Sequence, residues 1–122
     1  MSDNPLQGHR HAGMSSKAFL NAERVLQETG LKGDDTFLDV GCGDGHFSIV
    51  ASKIVGNKGK VYALDSYEKA IAALKDQIHR EHITNIEAIV ADVTRNMPLP
   101  DAIIDVCLMA NVMHGFLANG EV

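Results

Sequence analysis

The chain reads as an α/β protein with a doubly wound parallel sheet and helices on both faces, and three observations predict it. Short apolar runs at 36–40, 60–65, 86–91 and 102–110 alternate with segments whose apolar residues recur at helical spacing. The first run passes directly into Gly41, Gly43 and Gly45, on alternate positions of FLDVGCGDG. Acids stand at the ends of these runs, with Asp39, Asp65 and Asp92 all near where a strand gives way to a turn. Right-handed crossovers bring such strand ends to one edge of the sheet, where ligands collect.

The 122 residues fit one domain, and 45% apolar with 22% charged residues is an ordinary globular balance. A formal charge of −5 and the lack of clustered Lys and Arg disfavour a nucleic-acid partner held by electrostatics. The opening MSDNPLQGHRHAG has no secretory or lipidation pattern and no apolar run reaches membrane-spanning length, so a cytoplasmic protein without a membrane partner is expected. Cys42 and Cys107 lack metal-ligand spacing and are expected to be reduced thiols. Cys42 is either a small residue fitting a crowded turn or, if a helix N-terminus lowers its pKa, a reactive thiol. No metal site is expected, since His9 and His11 have no third ligand nearby.

In chain order, residues 1–14 are polar and aperiodic, which predicts a flexible arm, either a plain tail or a lid. A helix is expected from Ser15 or Ser16 to Thr29, with Met14, Ala18, Ala22, Val25, Leu26 and Thr29 on its inner face and Gly30 closing it. The strand 36–40 follows. Asp39 interrupts it one residue before the glycines, which is costly in a sheet interior unless a cation or donors meet the carboxylate. A helix carrying Phe47, Val50, Ala51, Ile54 and Val55 runs to Gly56. KVYALD at 60–65 is the second strand, and its Asp65 falls twenty residues after Gly45 and twenty-four after Gly41. A carboxylate there can accept both hydroxyls of a ribose, or cap the next helix with Ser66. That helix is expected to face inward through Tyr67, Ile71, Leu74 and Ile78. The third strand, IEAIVA at 86–91, is closed by Asp92, and the nearly all-apolar fourth is interrupted by Asp105.

FLDVGCGDGHFS, VYALDSYEKAI and EAIVADVTRNMPLPDAIIDVCLMANVMHGF, in this order and at these separations, resemble the class I S-adenosylmethionine-dependent methyltransferases. NVMHGF further resembles the group that includes ubiquinone and menaquinone biosynthesis methyltransferases and arsenite methyltransferases. The resemblance covers about residues 15–118 and implies a Rossmann-like fold, S-adenosylmethionine as cofactor and a small-molecule methyl acceptor. By that resemblance Gly41, Cys42, Gly43 and Gly45 wrap the aminoacyl part of the cofactor, Asp39 lies near its ammonium and Asp65 holds its ribose. Ser66 and Tyr67 would stand beside ribose and adenine, Asp92 and Val93 would flank the adenine, and Asn111 and Val112 would line the pocket near the methyl donor. His114 is the best-placed base if an acceptor must lose a proton; otherwise it is a helix residue bonded to backbone.

The family has seven strands and four are visible here, so the cofactor-binding domain at 15–122 is expected to be truncated after strand four. AIIDVCLMA would then be an apolar edge, covered either by more of a longer chain or by a second copy in a homodimer. Two other functions compete. A noncatalytic S-adenosylmethionine-binding module could act through a protein partner. A dinucleotide-binding protein would need a third glycine at position 46, which is His46.

Overall fold

The computed structural model describes residues 16–92, 99 and 103–109. The expected arm, and with it Val93, Asn111, Val112 and His114, lies outside the described residues. The elements run α1 (Ser16–Glu28), β1 (Thr36–Val40), α2 (His46–Val55), β2 (Lys60–Asp65), α3 (Glu68–Arg80), β3 (Ile86–Val90) and β4 (Val106–Leu108). All four strands pair in parallel in the order β3-β2-β1-β4.

That order explains where the site must be. From β1 the chain steps outward to β2 and β3, then returns past its starting point to place β4 on the other flank of β1. The reversal between β1 and β4 opens a crevice beyond their carboxyl ends.

The same stepping decides which face the helices cover. Right-handed crossovers that progress in one direction deposit their helices on one side. Accordingly Phe37, Val61, Val106 and Leu108 pack with Ala22 and Leu26 of α1 and with Val50, Ala51 and Val55 of α2. Ala63 and Ala88, in register with each other, meet Ile49 of α2 and Ile71 and Leu74 of α3. The opposite face, carrying Leu38, Val40, Tyr62 and Leu64, is packed by Leu99, Ile104 and Met109, so the described helices occupy one face where both were expected. The connection from β3 to β4 runs in the reverse direction, so a right-handed crossover carries it over this second face, where its Leu99 and Ile104 pack.

Helix α2 lies at the centre and buries Ser48, Ile49, Val50, Ala51, Ser52 and Val55, more of its circumference than the one-face pattern expected. Each fully buried aliphatic side chain there contributes about 2 kcal/mol. Helix α1 keeps Ala22 and Leu26 inside as expected, but Phe19 completes its inner face, while Val25 and Thr29 are exposed. Gly30, at φ 88°, ends that helix in the left-handed region where glycine is favoured. Asn85, just ahead of β3, donates from Nδ2 to the carbonyls of Ser52 (2.9 Å) and Gly56 (2.8 Å), tying β3 to the end of α2.

Strand β4 is shorter than the apolar run suggests. Asp105 lies in a bend, where its backbone N–H donates to Thr36 O (2.9 Å) and its Oδ2 accepts from Thr36 N–H (2.8 Å). The acid therefore fastens the start of β4 to the start of β1 and delays the regular ladder to Val106.

Candidate functional site

Backbone conformation makes the glycine turn possible. Gly41, Gly43 and Gly45 have φ of 74°, 57° and 82°, all in the left-handed region that penalises a Cβ. The N–H groups of Gly41 and Cys42 both donate to Leu64 O at 2.8 Å, which binds the start of the turn to the end of β2. Gly45 serves a packing need as well: a Cβ there would stand 2.6 Å from Leu74 Cδ1 of α3. Its early position, which breaks the dinucleotide pattern, suits the cap of α2 and the approach of α3.

Asp65 organises the rim. Its Oδ2 accepts from Gly43 N–H and its Oδ1 from Tyr67 N–H, both at 2.8 Å. One carboxylate thus joins the glycine turn to the entry of α3, although no side-chain bond caps that helix. Each oxygen retains a further lone pair for a ligand donor.

An open cleft of ≈ 410 Å³ lies over this turn, lined by Cys42, Gly43, Asp44, His46, Phe47 and Asp65. Three of these were expected to touch a ligand, and Asp44, His46 and Phe47 were not. Asp44 Oδ1 accepts from His46 N–H (3.1 Å) and lies 3.5 Å from His46 Nδ1, and the imidazole stacks on Phe47 with ring centres 4.6 Å apart. An Asp two residues ahead of a helix start is the sequence signal that could have marked this cap. Gly41 and Gly45 belong to the turn but not to the cleft lining. Ser66, Tyr67 and Asp92 are exposed at the carboxyl edge outside the cleft lining, Tyr67 markedly so at 60%.

Asp39 is 3% exposed beneath the turn, and Ser48 Oγ donates to its Oδ2 at 2.7 Å. Its carboxyl is pushed up to about 6, chiefly by burial; the Ser48 hydrogen bond and His46 oppose the rise, and Asp44 and Asp65 add to it. The donor that a buried acid requires was missed because a serine within a helical run carries no sign of its partner. Cys42 is also buried, and its thiol is pushed up to about 12 by burial first and then by Asp39 and Asp65. It stays protonated near neutral pH, so the reactive-thiol alternative fails and the small packing residue remains. Cys107 is likewise a free thiol. Among the described residues no three His, Cys, Asp or Glu side chains are grouped to hold a metal. No described helix is long and apolar enough to cross a membrane.

Sheet, turn and cleft define a Rossmann-like α/β domain whose cleft lies at the carboxyl edge beside β1. The chain belongs to the methyltransferase domain family, whose model matches residues 31–122. A solved S-adenosylmethionine-dependent methyltransferase from Aquifex aeolicus superposes with a TM-score of 0.71 at 36% identity, covering 80% of this chain and 52% of its own. An O-methyltransferase from Thermotoga maritima shares the fold at 20% identity and a TM-score of 0.66, over 79% of this chain and 35% of its own. A probable cobalt-precorrin-6B C(15)-methyltransferase from Saccharolobus solfataricus is 48% identical over 47 residues, 38% of this chain and 24% of that protein. The chain thus spans about half the length of the Aquifex protein, and its match takes in about a quarter of the Saccharolobus one.

Proposed function

We propose that this chain is the cofactor-binding part of an S-adenosylmethionine-dependent methyltransferase acting on a small-molecule acceptor. The observation that carries the reading is the joint placement of Asp65 and Asp39. One carboxylate is fixed by two backbone N–H groups at the cleft rim, and the other is buried below the same turn.

These groups fit the cofactor's chemistry. Its ribose presents two hydroxyl donors, which suit Asp65, and its amino-acid end presents an ammonium, which suits a buried anion otherwise met by one hydroxyl. When bound, the cofactor supplies an electrophilic methyl group on a sulfonium. The chain's own part is to bind, align and exclude water, since an in-line displacement depends on holding donor and nucleophile in register. Gly41, Cys42, Gly43 and Gly45 would surround the aminoacyl portion, with Ser66, Tyr67, Asp92 and Val93 toward the ribose and adenine. Asn111 and Val112 would lie near the methyl group, and His114 would take a proton from an acceptor that needs to lose one.

The family match and the Aquifex likeness support the enzymatic reading over a noncatalytic module. The NVMHGF segment supports kinship with the quinone-biosynthesis and arsenite group, whereas the curated relatives are named for a cobalt-precorrin. Both lines favour a small-molecule acceptor. Calorimetry of the folded chain with S-adenosylhomocysteine tests the reading. One-to-one binding that NAD does not compete away is expected, and no heat of binding would remove the reading.

A further inference from the structure

Two serines on α2 use their hydroxyls differently. Ser52 Oγ bonds back to Ile49 O (2.7 Å), the usual habit of a serine inside a helix. Ser48, 0% exposed, instead reaches across the glycine turn to Asp39 Oδ2 at 2.7 Å. Among the described residues no other side-chain or backbone donor reaches that carboxylate, which has about four acceptor positions to fill. A lone hydrogen bond of this kind settles which way a carboxylate faces and leaves its other oxygen for another partner.

Resting on the methyltransferase reading above, we propose that Ser48 is a positioning residue: it orients the Asp39 carboxylate and keeps it ionised, so that a fixed anion meets the ammonium of the cofactor's amino-acid end. Among the described residues, the groups around that anion are Asp44 and Cys42 in the turn, His46 at the start of α2, Asp65 at the end of β2 and Cys107 on β4. Asp44 and Asp65 favour protonation of Asp39, while Ser48 and His46 oppose it. With about 6 as the midpoint for Asp39, binding of an ammonium-bearing ligand weakens as pH falls through that value, and loss of the Ser48 hydroxyl moves the weakening to higher pH.

The test is titration of the full chain and of Ser48→Ala with two probes over pH 5 to 8.5. S-adenosylhomocysteine carries the ammonium, and 5′-methylthioadenosine has the same nucleoside without it. Ser48→Ala is expected to weaken S-adenosylhomocysteine roughly tenfold at neutral pH and to raise the acid midpoint of its affinity profile by about one unit. Affinity for 5′-methylthioadenosine stays unchanged, and in an Asp39→Asn background Ser48→Ala has no further effect. Equal losses for both probes, or an unmoved pH profile, overturn the proposal and reduce Ser48 to a strut between β1 and α2. If Ser48→Ala does not fold, Ser48→Cys, of similar size but a weaker donor, is read in the same way. Failure of the unaltered chain to bind S-adenosylhomocysteine would defeat the site reading itself; intact binding with an insensitive Ser48→Ala defeats only this inference.

Discussion

Asp39 holds a charge in a place that works against folding. Its carboxyl is pushed up to about 6 in the folded chain from an ordinary value of 3.8, with burial the main cause. Because the folded value is the higher one, the stability tied to the protonated form is complete below about pH 4 and is lost as pH rises through 6. Asp39→Asn, whose amide oxygen can still accept from Ser48, is therefore expected to stabilise the chain by about 2 kcal/mol at pH 8, with no gain at pH 4. Urea unfolding at the two pH values checks this, and a gain independent of pH would show that the carboxylate is not strained. A stabilising change at an acid proposed to meet the cofactor's ammonium is what function bought at some cost in stability looks like. Asp65 differs, since its removal frees two N–H groups. Asp65→Ala should weaken both S-adenosylhomocysteine and 5′-methylthioadenosine by about 1–3 kcal/mol in calorimetry, because both carry the ribose. The sequence marked Asp39 and Asp65 as unusual because one interrupts an apolar run just before the glycines and the other ends one. Ser48 could not be marked, because its hydroxyl finds Asp39 only after β1 and α2 have folded together.

Among the elements, the glycine turn shows how one motif serves backbone and packing at once. Gly45→Ala places a Cβ at φ 82° and 2.6 Å from Leu74 Cδ1, so a loss of about 2 kcal/mol in thermal unfolding is expected. A neutral result would mean that α3 does not press on the turn. Strand positions were legible because parallel strands buried on both faces read as continuous apolar runs, and β1 and β2 have the expected bounds. The same property hid where β4 begins, since apolarity alone cannot reveal a backbone bend. Asp105 was visible as an interruption but not as a clasp on Thr36. Asp105→Ala is expected to cost about 1 kcal/mol and to speed amide exchange in β4. Helix α1 misled in detail because its period allows either Phe19 or Val25 inside, and contact with α2 chooses Phe19.

At the scale of the molecule, topology and site are one fact. The reversal from β3 to β4 places the crevice beside β1, and the sequence places its glycines and acids at that edge. The fold class was legible from strand and helix alternation, whereas the sidedness of the helices required the strand order. On the flank of β4 away from β1 no strand pairs among the described residues, leaving the proposed cover by a second copy to solution measurement. If two copies meet there, sedimentation shows a dimer that Cys107→Lys, a charge on this edge strand, weakens; monomers throughout would remove that partner. If the turn between β1 and α2, closed by Asp65, is a methyl-donor site, amide chemical-shift mapping with S-adenosylhomocysteine will show it. The largest shifts are expected at Gly41, Gly43, Gly45 and His46 and at Ser66 and Tyr67; binding that leaves those amides unmoved while shifting others would place the donor elsewhere.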